Sequence, residues 1–100
     1  MDRSFLIQLT NDLYKLTLLF PKKEPLRYKI RELADSILAS LVNQHPRLIN
    51  SVLETLEILD SYFEVAKAQN WVSPSEILAI QKEYANLREE LKKEIGRAHV

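Results

Sequence analysis

Apolar residues recur along this chain at alternating spacings of three and four positions, which is the pattern of one buried face of an α-helix. The first such run is Leu6, Leu9, Leu13, Leu16 and Phe20. Pro21 follows at once, and a proline lacks the backbone N–H and disfavours helical geometry in the residue before it. The pattern therefore predicts a first helix that ends near Phe20.

Three further runs with the same period follow the first. The second extends from Pro25 to about Asn43 and carries Leu26, Ile30, Leu33, Ile37 and Leu41. The third carries Ile49, Val52, Leu56, Leu59, Phe63 and Ala66, and the fourth carries Ile77, Ile80, Tyr84, Leu87 and Leu91. Because no useful stretch alternates with period two, the chain is predicted to be all-α.

Local signals mark the ends of these helices. Pro25 and Pro74 suit the first turn of a helix. Residues 73–76, Ser-Pro-Ser-Glu, have the sequence of a capping box, and Asn70 suits a left-handed helix cap. Residues 43–46, Asn-Gln-His-Pro, predict the break between the second and third helices.

Four helices with such short connections favour antiparallel neighbours, so we predict an antiparallel, up-down-up-down four-helix bundle that forms one domain over residues 1–94. Residues 95–100, Ile-Gly-Arg-Ala-His-Val, match the translation of ATC-GGA-AGA-GCA-CAC-GTC, the start of a widely used sequencing-library adapter. We therefore expect residues 95–100 to be a tail of adapter origin, and the alternative is an ordinary frayed tail that happens to match. No function is assigned to His99.

The composition indicates the kind of protein and its compartment. The chain is 46% apolar and contains no cysteine, so neither a disulfide framework nor a thiolate metal site can form. Its first residues lack the features of a signal peptide, and its apolar runs fall well short of the roughly 20 residues that cross a bilayer. These features predict a cytoplasmic protein that does not associate with membranes.

The chain has few residues suited to catalysis or metal binding. Its histidines are His45, in a predicted loop, and His99, in the tail, and neither has a nucleophile or metal-ligand partner at a useful spacing. The carboxylates Glu57, Asp60 and Glu64 lie opposite the apolar face of the third helix, which predicts a solvated surface. We therefore expect no enzyme activity, no catalytic residue, no metal and no cofactor.

Charge is unevenly distributed, although the net charge is zero. Residues 1–47 carry eight basic and five acidic residues, which gives a net charge of +3. Residues 48–95 carry five basic and nine acidic residues, which gives a net charge of −4. The candidate nucleic-acid-binding residues in the first half are Lys15, Lys22, Lys23, Arg27 and Arg31, which together could neutralise several phosphates. Two alternatives stay open: nearby carboxylates such as Glu32 pair with these bases, or the two halves attract each other.

A second apolar stripe on the first helix predicts an oligomer interface. Ile7, Tyr14 and Leu18 project about 140° from the centre of the main stripe, and Leu38 and Val42 widen the second helix in the same way. Such a stripe indicates either an unusually wide core contact or a surface that a partner subunit covers. We expect self-association.

Residues 13–17, Leu-Tyr-Lys-Leu-Thr, are followed by Phe-Pro-Lys-Lys-Glu at 20–24, Arg27, and Ile-Arg at 30–31. This stretch resembles the first hairpin of a bacterial four-helix-bundle family. The family includes the accessory variability determinant proteins of diversity-generating retroelements and the proteins encoded in ribosomal RNA intervening sequences. Similar features recur over residues 59–91, so the resemblance covers most of the chain.

The resemblance implies a ring-like homo-pentamer with a basic surface that meets RNA and with a reverse transcriptase as its protein partner. The residues that match the basic positions are Lys15, Lys22, Lys23, Arg27 and Arg31. The leading hypothesis is thus a non-enzymatic accessory protein that binds RNA and a reverse transcriptase. The alternative is a scaffold or adaptor that binds only protein, through Ile7, Tyr14 and Leu18.

Overall fold

Four α-helices account for most of the chain in the computed structural model, which describes residues 2–98. They are α1 (Arg3–Thr17), α2 (Pro25–Asn43), α3 (Ile49–Ala68) and α4 (Pro74–Ala98). A short 3₁₀ turn, Pro46–Leu48, leads into α3. The predicted bounds of α2 are confirmed, whereas α1 ends three residues before Phe20.

Each helix packs on its neighbour in the sequence, and α1 also packs on α4, which closes the bundle. Polar contacts between α1 and α2 show that the two helices run antiparallel, because Tyr14 meets Asp35 while the later Thr17 meets the earlier Arg31. Contacts between α3 and α4 run in the same antiparallel sense. The predicted all-α four-helix bundle is confirmed, with extents of 45 × 20 × 20 Å.

The core contains most of the residues predicted from the apolar pattern. All five stripe residues of α1 and its following turn are buried. On α2, Leu33 and Leu41 are only partly buried, and Ala34 lies fully inside. Since α1 and α3 cover the two flanks of α2, the centre of its buried face falls on Ile30, Ala34 and Ile37.

A tight turn after α1 decides which of its last apolar residues are buried. The N–H groups of Leu19 and Phe20 bond to carbonyls three residues earlier, at 3.1 Å each, so the chain tightens as α1 ends. This geometry places Phe20 in the core and leaves Leu18 62% exposed. The Phe20 ring packs on Trp71 with centroids 5.1 Å apart, and Trp71 is partly buried against the core.

The helix ends follow the sequence signals, with two differences. Asn70 adopts the expected left-handed conformation, with φ 62°, but Gln44 does so as well, with φ 56°, and ends α2. At the start of α4 the Ser73 hydroxyl lies 2.8 Å from that of Ser75, where a capping box would place it on the Glu76 N–H. Helix α4 continues through Ala98 into the predicted tail. His99 lies outside the described residues.

Candidate nucleic-acid and protein interfaces

The structure separates the five predicted basic residues into two groups. Lys15, Lys22 and Lys23 are exposed, Lys15 on α1 and the other two in the turn between α1 and α2. Arg31 is half-buried, and Arg27 is only 7% exposed. The three lysines are therefore open to solvent, whereas Arg31 contacts α1 and Arg27 is buried on α2.

Arg31 joins α2 to the last turn of α1. Its Nε donates to the Thr17 hydroxyl at 2.7 Å, and one of its terminal nitrogens donates to the Tyr14 carbonyl at 3.2 Å. The guanidinium carbon also lies 4.7 Å from the centroid of the Tyr14 ring, within cation–π range. Its donors are thus used inside the protein at the point where α1 ends.

Arg27 lies one turn before Arg31 on the same flank of α2. Its Nε is buried and has no hydrogen-bond partner among the described residues. The guanidinium lies 5.8 Å from the Tyr28 ring centroid, and the aliphatic stem contributes apolar area to the interior. With so little exposed surface, Arg27 offers a phosphate much less than a surface arginine does.

The turn that carries Lys22 and Lys23 is held by hydrogen bonds on both sides. The Tyr28 hydroxyl donates to the Lys22 carbonyl at 2.7 Å, and the Glu24 carboxylate accepts from the Leu26 N–H at 3.5 Å, which caps α2. The Glu24 N–H in turn bonds to the Pro21 carbonyl at 3.1 Å. The two lysines therefore extend from a backbone that is fixed relative to α2.

The predicted interface stripe on α1 is exposed at both ends and partly used in the middle. Ile7 is 44% exposed, and it lines an open groove of about 530 Å³ with Leu38 and Val42 of α2. Tyr14 is half-buried, and its hydroxyl donates to both oxygens of Asp35, at 2.8 and 3.0 Å. This hydrogen bond, assisted by burial, raises the pKa of Tyr14 above its usual value.

Sequence reasoning missed a polar seam between α3 and α4. The Gln81 side-chain amide donates to Asp60 at 2.9 Å and to Glu64 at 2.7 Å, and Arg88 pairs with Glu57 at 2.6 Å. Lys67 also pairs with Glu64, and the hydrogen bonds from Lys67 and then from Gln81 lower the pKa of that carboxyl. The carboxylates predicted to be a plain solvated surface therefore border α4 and contact it.

Cavities and polar clusters elsewhere add little chemistry. A cavity of about 320 Å³ beside the α2–α3 connection is lined by His45, Leu41, Leu91 and Glu94 among others, with no hydrogen bond between its polar side chains. Within residues 2–98, no cluster of His, Asp or Glu is placed to hold a metal ion. Over the same range, no helix combines the length and apolar character of a membrane span. Comparisons with protein-family models, curated proteins and solved structures found no match to this chain.

Proposed function

We propose that this protein is a non-enzymatic accessory protein that binds RNA and a reverse transcriptase as a homo-oligomer. The observation that carries the proposal is the fixed turn between α1 and α2, from which Lys22 and Lys23 extend into solvent with Lys15 nearby in the sequence. The sequence resemblance over residues 13–31 and 59–91 supports the choice of RNA and reverse transcriptase as partners.

The arginines take a supporting part in this proposal. Arg31 ties α2 to the end of α1, and Arg27 is buried one turn earlier on α2, so both stabilise the hairpin that carries the lysines. Phosphate contact then falls to Lys15, Lys22 and Lys23. Ammonium groups act on phosphates as point charges, so we expect binding that is weak in sequence preference and sensitive to salt.

The test is a titration of single-stranded RNA at about 50 and 200 mM salt, comparing the natural chain with a variant carrying Lys15→Gln, Lys22→Gln and Lys23→Gln. Removing three phosphate contacts should weaken binding most at low salt and should lower the slope of log affinity against log salt by about 2. Circular dichroism of both proteins checks that the helices are intact.

The matched control replaces three exposed lysines of α4 by the same change, Lys82→Gln, Lys92→Gln and Lys93→Gln. Both triple variants have the same net charge, so a difference between them reports the position of the lysines and not overall charge. Equal losses in the two variants, or RNA binding that the first variant leaves unchanged, would contradict the proposal.

A protein-only scaffold is the second candidate. It is favoured by the open apolar groove of α1 and α2, lined by Ile7, Leu38 and Val42, and by the withdrawal of Arg27 and Arg31 from the basic surface. The same titration separates the two candidates, because a scaffold of this kind shows no RNA affinity even at low salt.

A further inference from the structure

Two exposed apolar rows lie on adjacent faces of the bundle, and both border α2. The first row is on α1, where Ile7 lines the open groove with Leu38 and Val42. The second is on α3, where Ile58 and Val65 are 47% and 49% exposed. Val65 and the half-buried Tyr62 line a smaller groove, of about 300 Å³, with Leu26 and Lys29 of α2. The face formed by α1 and α2 therefore meets the face formed by α2 and α3.

The two rows have matching spacing and opposite charge. On α1 the exposed Arg3 stands four residues before Ile7, and Tyr14 follows seven residues after it. On α3 the exposed Glu54 stands four residues before Ile58, and Val65 follows seven residues after it. Neither Arg3 nor Glu54 takes part in an ion pair within the part of the chain that the structure describes.

Other charged groups near these rows are Lys29 of α2, which is exposed beside the α3 row, together with Asp35, Glu57 and Glu64. Asp35 lines the α1–α2 groove, but its two oxygens accept from the Tyr14 hydroxyl. Glu57 and Glu64, on the far side of α3 from α2, pair with Arg88 and Lys67. Arg3 and Glu54 are the oppositely charged residues that share the helical spacing of the two apolar rows, so a contact between copies can bring them together.

We propose that α3 of one copy of this chain docks in the α1–α2 groove of a second copy. In this arrangement Ile58 and Val65 of one copy cover the groove beside Ile7 of the other. Glu54 pairs with Arg3 of the other copy, so α3 of the first copy runs parallel to α1 of the second. The contact joins different patches on the two copies, which makes it heterologous.

This inference rests on the homo-oligomer of the proposed function and specifies how its subunits join. The contact can be tested independently of RNA binding, because the residues that form it are not among the three lysines proposed to contact phosphate. These residues are Ile7, Ile58, Arg3 and Glu54. The experiment uses the full chain and two variants, Ile7→Asp and Ile58→Asp, each at an exposed position and each checked by circular dichroism. Sedimentation velocity measures the size of each variant alone and of an equimolar mixture.

A heterologous contact gives a pattern that a symmetric one cannot. Each variant alone should be a monomer, with self-association weakened on the order of 100-fold by a charge placed in the contact. In the mixture, Ile7→Asp keeps an intact α3 row and Ile58→Asp keeps an intact groove. The two variants should therefore form a 1:1 dimer that grows no further.

Charge exchange checks the pairing independently. Arg3→Glu should weaken assembly of the full chain, and adding Glu54→Arg in the same chain should restore it, because the pair is re-formed with the charges exchanged.

Assembly of Ile58→Asp alone would overturn the proposal, since it would mean that α1 faces pair with each other. Failure of the mixture to dimerise, while the natural chain assembles, would overturn it and leave the RNA proposal standing. If the natural chain stays monomeric at high concentration, that result would contradict both this contact and the proposed homo-oligomer.

Discussion

Tyr84 of α4 brings a polar group into the core. The side chain is buried and packs on Phe63 with ring centroids 6.0 Å apart, and its hydroxyl has no hydrogen-bond partner among the described residues. Burial raises the pKa of Tyr84 well above its usual value of 10.0. The nearby Thr10 hydroxyl, whose own proton is donated to the Leu6 carbonyl at 2.8 Å, acts in the opposite direction by a smaller amount, and the charges of Asp35 and Asp12 raise the pKa further. The folded state therefore holds this phenol neutral.

Tyr84→Phe should keep the fold and leave the free energy of unfolding unchanged, or raise it by up to about 1 kcal/mol, because it removes a buried hydroxyl without a partner. A pH series adds a sharper test. Above pH 10 the unfolded tyrosine loses its proton and the folded one does not, so the natural chain should lose stability as the pH rises. The Tyr84→Phe variant should lose less stability than the natural chain over the same rise in pH.

The measurement is urea unfolding of both proteins between about pH 7 and pH 11, which spans the usual tyrosine pKa. The difference between the two stability curves isolates Tyr84 from the lysines and from the other tyrosines. Curves that stay parallel over this range would show that the phenol is not protected from ionisation by the fold.

At the scale of the helices, Arg31 is the side chain that fixes where α1 ends against α2. Its two hydrogen bonds go to the hydroxyl of Thr17 and the carbonyl of Tyr14, both in the last turn of α1. The Tyr14 carbonyl also accepts from the Leu18 N–H at 3.1 Å and from the Thr17 hydroxyl at 3.0 Å, so Arg31 joins a hydrogen-bond network that already closes the end of α1.

Arg31→Met should therefore cost about 1–3 kcal/mol of folding free energy, because it removes two hydrogen bonds to a charged donor in a half-buried place. Arg27→Met is the matched comparison. It removes a buried Nε without a partner and keeps the apolar stem, so its effect should stay below about 1 kcal/mol. Urea midpoints of the two variants measure this contrast, and a larger loss for Arg27→Met would contradict it.

At the scale of the whole molecule, the core is shared between two hairpins. The α1–α2 hairpin meets the α3–α4 hairpin through two contacts, α2 with α3 and α1 with α4. Fully buried side chains of both hairpins, such as Leu13, Ile30, Leu59 and Phe63, face one another across this division. Neither hairpin alone covers these residues, since one layer of helices must pack on another to exclude water.

A chain cut in the exposed connection before His45 should reassemble from its two pieces. Residues 1–44 and 45–100 carry net charges of +2 and −2 and should each have little helix alone, whereas a 1:1 mixture should recover the circular dichroism of the intact chain. Raising the salt from about 0.05 to 0.5 M should weaken their association only modestly, because apolar burial drives it. A piece that is fully helical by itself would contradict this account.

The sequence by itself determined the number of helices, most of their ends and most of the core. Pro25 and Pro74 begin helices and Asn70 takes the left-handed cap, because proline geometry and the cost of positive φ act within a few residues. The three-four spacing likewise needs only the helix's own period to place Leu13 or Phe63 inside. The exposure of Lys22 and Lys23, in a polar turn between two prolines, was accessible to the same reasoning.

Only the tertiary structure decided which flank of each helix meets a neighbour. Arg27 and Arg31 share their flank of α2 with α1, so side chains that look like a basic surface on an isolated helix are withdrawn from solvent. The contacts of Gln81 with Asp60 and Glu64 arise in the same way, from the rotation of α4 against α3. Such pairings join residues 14–21 positions apart on two helices of one hairpin. They depend on how the helices turn about their axes once packed, which the local period leaves free.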